Sequence, residues 1–133
     1  MLSLTQKSRL EILLYIGILF LSRTVYGDVI IDNSTTGTSY TGTWSVSTGT
    51  NPYGANSLWS RNGTTYTWTM SSQPAGNYQV SMWWSGFASR PASASVAVAY
   101  TGGTSTVTVN QLQNAGQWNS LAHIILMAQA LLR

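Results

Sequence analysis

A chain of 133 residues has the length of one domain, and without cysteine it holds neither a disulfide framework nor a thiolate metal site. Only 7% of its residues are charged, against roughly a quarter in an ordinary soluble domain. Lys7, Arg9, Arg23 and Glu11 fall in the first 27 residues, which leaves Arg61, Arg90 and Arg133 against Asp28 and Asp32. That balance gives no basic patch and excludes nucleic acid as a partner.

The first 27 residues have the three parts of an export signal. A basic head (Met1 to Arg9) is followed by the apolar run Ile12 to Leu21, then by Val25-Tyr26-Gly27 ahead of Asp28. The apolar run is about half of what a spanning helix requires. The reading is a signal helix cleaved before Asp28, with an uncleaved N-terminal anchor as the rival. Glu11, beside the apolar run, departs from the usual signal pattern. The location expected is secreted, periplasmic or cell-surface, with membrane contact only through an uncleaved N-terminal segment.

The body then reads as short strands between turns. Val29 to Ile31 is a strand ending at Asp32-Asn33, and Ser34 to Ser39 is a Ser/Thr/Gly loop. Thr41 to Ser47 alternates, with Trp44 and Val46 on one face. A long loop from Thr48 to Ser57 carries Tyr53, and Trp59 lies just beyond it. Arg61-Asn62-Gly63 is a turn. Tyr66, Trp68 and Met70 then alternate with Thr65, Thr67 and Thr69.

Pro74 to Asn77 stops that segment and starts the strand around which the chain is organised. In it Tyr78, Val80, Met82 and Trp84 share an apolar face, while Gln79, Ser81 and Trp83 share the other. A second long loop covers Ser85 to Ala92. Ser93 to Tyr100 and Ser105 to Asn110 flank the hairpin turn Gly102-Gly103, with Val96, Val98, Tyr100, Val107 and Val109 inward. Gln111 to Gln117 is polar and ends at Trp118. Six or seven short strands and no helical period before residue 120 predict an all-β antiparallel sandwich whose strand order is left open.

The ordered phrases Ile30-Ile31-Asp32-Asn33, Thr41-Gly42-Thr43-Trp44-Ser45, Tyr66-Thr67-Trp68, Pro74 to Val80 with Trp83-Trp84, Val109-Asn110-Gln111 and Gly116-Gln117-Trp118-Asn119 resemble the golvesin C-terminal-like domain. That family is also called the xanthan-lyase carbohydrate-binding-like domain, and the resemblance runs from about residue 29 to residue 121. It implies a jelly-roll-like β-sandwich appended to secreted bacterial hydrolases, lyases or surface proteins, with carbohydrate or surface binding as its role. The resemblance ends at Trp118-Asn119, where the family continues with a Gly-aromatic strand, a Gly-rich turn and a Val-rich strand. Here residues 122–133 form an atypical apolar tail, read as a frameshift or early stop, or as a genuine helix or strand over the gap. The domains expected are therefore 1–27, 28–121 and 122–133.

Trp83 is the first candidate binding residue, because an outward indole can stack on the C–H face of a sugar while Gln79 and Ser81 meet its hydroxyls. Packing under a loop is the plainer alternative. Trp59 and Tyr53 are candidates as aromatics in or beside a loop, or they plug the end of the fold. Trp44, Trp68, Trp84 and Trp118 are assigned to the core. Gln111, Gln113, Asn114 and Gln117 serve a turn's backbone or a ligand's hydroxyls. No catalytic residue, metal site or cofactor is expected. The body's two carboxylates both lie near its start and cannot face each other as a glycosidase pair. His123, the one histidine, has no acid beside it in sequence. The expected function is non-catalytic binding of polysaccharide or a cell-surface glycan. The alternative is a structural or spacer module without a ligand, as part of a truncated remnant.

Overall fold

The structure is a computed structural model that describes residues 1–6, 13–15, 18–20, 27–61 and 63–127. Among these residues every regular element is a strand and every pairing is antiparallel. In chain order they are β1 (Leu2–Gln6), β2 (Leu13–Tyr15), β3 (Ile18–Phe20), β4 (Val29–Ile31), β5 (Thr38–Tyr40) and β6 (Ser45–Ser47). Then come β7 (Ser57–Trp59), β8 (Tyr66–Trp68), β9 (Gly76–Trp83), β10 (Ala94–Tyr100), β11 (Gly103–Val109) and β12 (Trp118–Leu126).

The main sheet has the order β12-β9-β1-β4. β9 is the strand singled out by its alternation, and it is paired on both edges. Its apolar set is buried as the spacing predicts: Tyr78, Val80, Met82 and Trp84 are 3, 2, 8 and 7% exposed. Val80 lies opposite Leu4 on one side and Ala122 on the other, which places all three on one face of the sheet. Trp68 and Met70, around β8, and Val96, Val98, Tyr100 and Val107, from β10 and β11, pack against this face. Their half-burial alternates with exposed threonines and alanines. The β10–β11 hairpin turns at Thr101-Gly102, one residue before the expected Gly102-Gly103, because Gly103 already pairs with Tyr100 as the first residue of β11. Gly103, at φ 143°, adopts a backbone that L side chains avoid.

The expected signal segment lies largely outside the described residues: residues 7–12, 16–17 and 21–26 are not described, and Leu2–Gln6, Leu13–Tyr15 and Ile18–Phe20 are strands. Leu2–Gln6 pairs with β9 and β4, and Trp83 N–H donates to the Met1 carbonyl at 2.9 Å. Val46 is 61% exposed, on a β6 that pairs with β7. Two further expectations are corrected. Thr38–Tyr40 is a strand on β8 rather than loop, with Tyr40 opposite Tyr66. Trp118 faces away from the core, since it stands directly opposite Trp83.

β12 runs through the boundary drawn at residue 121 and stays paired with β9 as far as Leu126 opposite Gly76. A bulge between Ser120 and Ala122 shifts the register, so Leu121 and Ala122 are both buried before Ile124 resumes the alternation. That extra residue hides the strand's period in the sequence.

Candidate functional site

The outer face of the main sheet carries a cluster of three aromatic rings. Trp83 ends β9 and Trp118 begins β12, and their direct cross-strand pairing puts both indoles on one face. Tyr53 reaches them from the loop between β6 and β7. The ring centroids are 5.6 Å apart for Tyr53–Trp83, 5.3 Å for Tyr53–Trp118 and 5.7 Å for Trp83–Trp118. The two contacts to Trp83 are edge-to-face, at 79° and 77°. That geometry leaves parts of the π faces turned outward rather than stacked on each other. All three side chains are half-buried.

The loop holding Tyr53 is fixed at several points. Thr50 and Gly86 exchange both backbone hydrogen bonds at 2.9 Å. The Trp83 Nε1–H donates to the Asn51 carbonyl at 3.0 Å. Asn51 adopts the left-handed backbone at φ 51°, a conformation asparagine tolerates. The neighbouring loop contributes Gly116, also left-handed at φ 74°, where an added Cβ would come within 2.9 Å of the Asn51 Cβ. Gly116 N–H donates to the Trp84 carbonyl at 2.9 Å, and Asn119 Nδ2 caps the carbonyls of Asn114 and Gln117. Asn119, just after Trp118, thus holds the carbonyls of the turn that leads into the second tryptophan.

Of the residues expected to bind, Trp83 and Tyr53 come together. Gln79 and Ser81 lie along the same face of β9, where Gln79 Nε2 donates to Ser81 Oγ at 3.3 Å. Ser81 is buried, so its hydroxyl serves Gln79 rather than solvent. Trp59 stands apart on β7, 39% exposed, with the Arg61 guanidinium 5.4 Å from its ring centroid. No ring contact joins it to the cluster. Trp118 is the residue that sequence reasoning missed; its place at the start of β12 opposite Trp83 becomes visible only once the β9–β12 register is known.

A second aromatic row runs over β5 and β8. Tyr40 stacks on Tyr66 at 5.7 Å and 18°, Trp44 meets Tyr66 edge-on at 5.1 Å, and Trp68 follows at 4.8 Å. Tyr66 Oη accepts the Ser34 backbone N–H at 2.9 Å, and Trp44 Nε1 donates to the Thr41 carbonyl at 3.0 Å. These bonds tie the row into its own loops. Among the described residues there is no group of three or more His, Cys, Asp or Glu able to hold a metal ion.

The architecture and the face it presents are those of a small all-β antiparallel module with surface aromatics. The Golvesin C-terminal domain matches residues 29–129, and the chain belongs to that family. It is also similar to a solved structure, that of a Paenibacillus xanthan lyase, with a TM-score of 0.73 and 34% identity. That likeness covers 80% of this chain and 11% of the lyase chain, so it concerns a small part of the enzyme. No curated protein matches the chain at a significant level.

Proposed function

We propose that the chain is a secreted, non-catalytic module of jelly-roll-like β-sandwich form that binds polysaccharide or a cell-surface glycan. Its contact surface in this reading is Tyr53, Trp83 and Trp118. The observation that carries the proposal is the clustering of these three half-buried rings on the sheet's outer face. Sugar rings offer apolar C–H faces that pack against aromatic side chains, as the rings' apolar bodies favour. Family membership supports the reading, as does likeness to part of a protein that acts on a polysaccharide. Affinity electrophoresis in gels cast with xanthan, cellulose derivatives or peptidoglycan fragments tests it. Retardation by at least one glycan, abolished by Trp83→Ala in a chain that keeps its β circular dichroism, is the expected result. Unchanged mobility across the panel contradicts it.

A second reading, a structural or spacer module without a ligand, draws on the bond from Trp83 Nε1 to Asn51. There the indole serves to pin the Tyr53 loop. This reading predicts that Trp83→Ala lowers stability and changes no binding.

A further inference from the structure

The two arginines of the described body, Arg61 and Arg90, form no ion pair. Arg61 follows β7, and Arg90 lies in the loop between β9 and β10. Each reaches toward the other's segment. Arg61 Nη2 donates to Ser89 Oγ at 3.5 Å, while Arg90 Nη1 donates to the Leu58 carbonyl at 3.4 Å. Arg90 Nη2 is shared among the hydroxyls of Ser85 at 2.7 Å, Ser47 at 3.4 Å and Ser57 at 3.5 Å. The Ser57 and Ser85 oxygens are themselves 2.6 Å apart.

A guanidinium presents five N–H donors, and contacts of 3.4–3.5 Å to neutral oxygens satisfy them poorly. Only the bond to Ser85 is short. Arg90 Nε is buried with no partner. Burial lowers the Arg90 pKa, as expected for a cation partly removed from water with nothing of opposite charge beside it. Both arginines line a cleft of about 1190 Å³, together with Trp59, Ser57 and Ser85. This cluster therefore has an excess of positive charge, spare N–H donors, hydroxyls and an exposed indole, and it lacks a carboxylate.

We propose that this end of the cleft is an anionic subsite that takes the carboxylate of an acidic sugar residue between Arg61 and Arg90, with Trp59 against the ring. A carboxylate supplies the missing counter-charge and accepts the forked donors, an arrangement in which charge-assisted bonds are strongest. The exposed Trp59 favours an acidic saccharide over a bare inorganic anion. The assignment rests on the glycan reading above but uses different residues.

The test is isothermal titration of the full chain with a β-linked oligoglucuronate and with a neutral gluco-oligosaccharide of the same length. The oligoglucuronate is expected to bind more tightly, and rising salt should weaken it while sparing the neutral oligomer. Arg61→Gln should weaken oligoglucuronate binding about tenfold and leave the neutral oligomer unchanged. Arg61 is chosen because it is exposed, so its replacement does not disturb the buried serine contacts of Arg90. Equal affinity for both oligomers with no response to Arg61→Gln would overturn the subsite and leave the Trp83 surface standing. Binding of inorganic sulfate as tight as that of the oligoglucuronate would also overturn it. Failure of both oligomers to bind would remove the subsite and the glycan reading together.

Discussion

The Trp83 Nε1–H donates to the Asn51 carbonyl, which fixes the indole in the folded chain. In the proposed binding mode this anchoring means that little further ordering entropy is lost when a glycan docks. At the other end of the same hydrogen-bonding row lies the Met1 ammonium, 3.3 Å from the Trp83 carbonyl. Burial lowers its pKa from 8.0 to about 6, with Asp32 opposing the shift through its charge. The folded state thus disfavours the protonated amine. Stability contributed by this group is complete above pH 8 and is lost as pH falls toward 6, because the unfolded chain binds the extra proton. In the uncleaved chain the melting temperature should rise between pH 6 and 8, by an amount reflecting roughly 2–3 kcal/mol. Acetylation of the N-terminus should flatten that slope, and an unchanged pH profile would refute the burial of the amine. At this scale the sequence was readable wherever alternation decides the face. Tyr78, Val80, Met82 and Trp84 went inward and Trp83 stayed out of the core for that reason. Trp118 was not readable, because a residue at the very start of a strand has no alternating neighbours before it.

Among the elements, β1 stands out. It is inserted between β9 and β4, yet it lies outside the residues 29–129 that match the family. Leu4 and Ser3 are buried there, at 4 and 5% exposure, and five residues of β1 pair with β9. Cleavage before Asp28, as the export signal predicts, withdraws this strand and leaves β4 and one edge of β9 without backbone partners. Open edges of that kind invite pairing with other chains. Hydrogen exchange on the chain before and after cleavage measures the effect. The amides of Val29 to Ile31 and those along the β1 side of β9 should lose protection after cleavage, and light scattering should rise with concentration. Equal protection in both forms would mean that β1 contributes nothing to the sheet. The element pattern was legible for β8, β9, β10 and β11, where large apolar residues recur at every second position, and for β4 as a short apolar run ended by Asp32-Asn33. It failed for β5, a Ser/Thr stretch with one Tyr, whose pairing with β8 is decided by Tyr40–Tyr66 stacking. It failed for the later part of β12 because the bulge at Ser120–Ala122 breaks the two-residue period.

Taken whole, the molecule has few titratable groups, 7% of its residues being charged, and three aromatic rings clustered on one face of its main sheet. Its similarity to a solved xanthan lyase covers 11% of that enzyme's chain. The six tryptophans make the central claim directly measurable, because each indole N–H gives its own resonance. Titration of the ¹⁵N-labelled chain with oligosaccharides released from xanthan should shift the Trp83 and Trp118 indole signals and leave the core Trp84 signal in place. Saturating ligand that moves none of the six, or moves Trp84 while Trp83 and Trp118 stay fixed, would contradict the account.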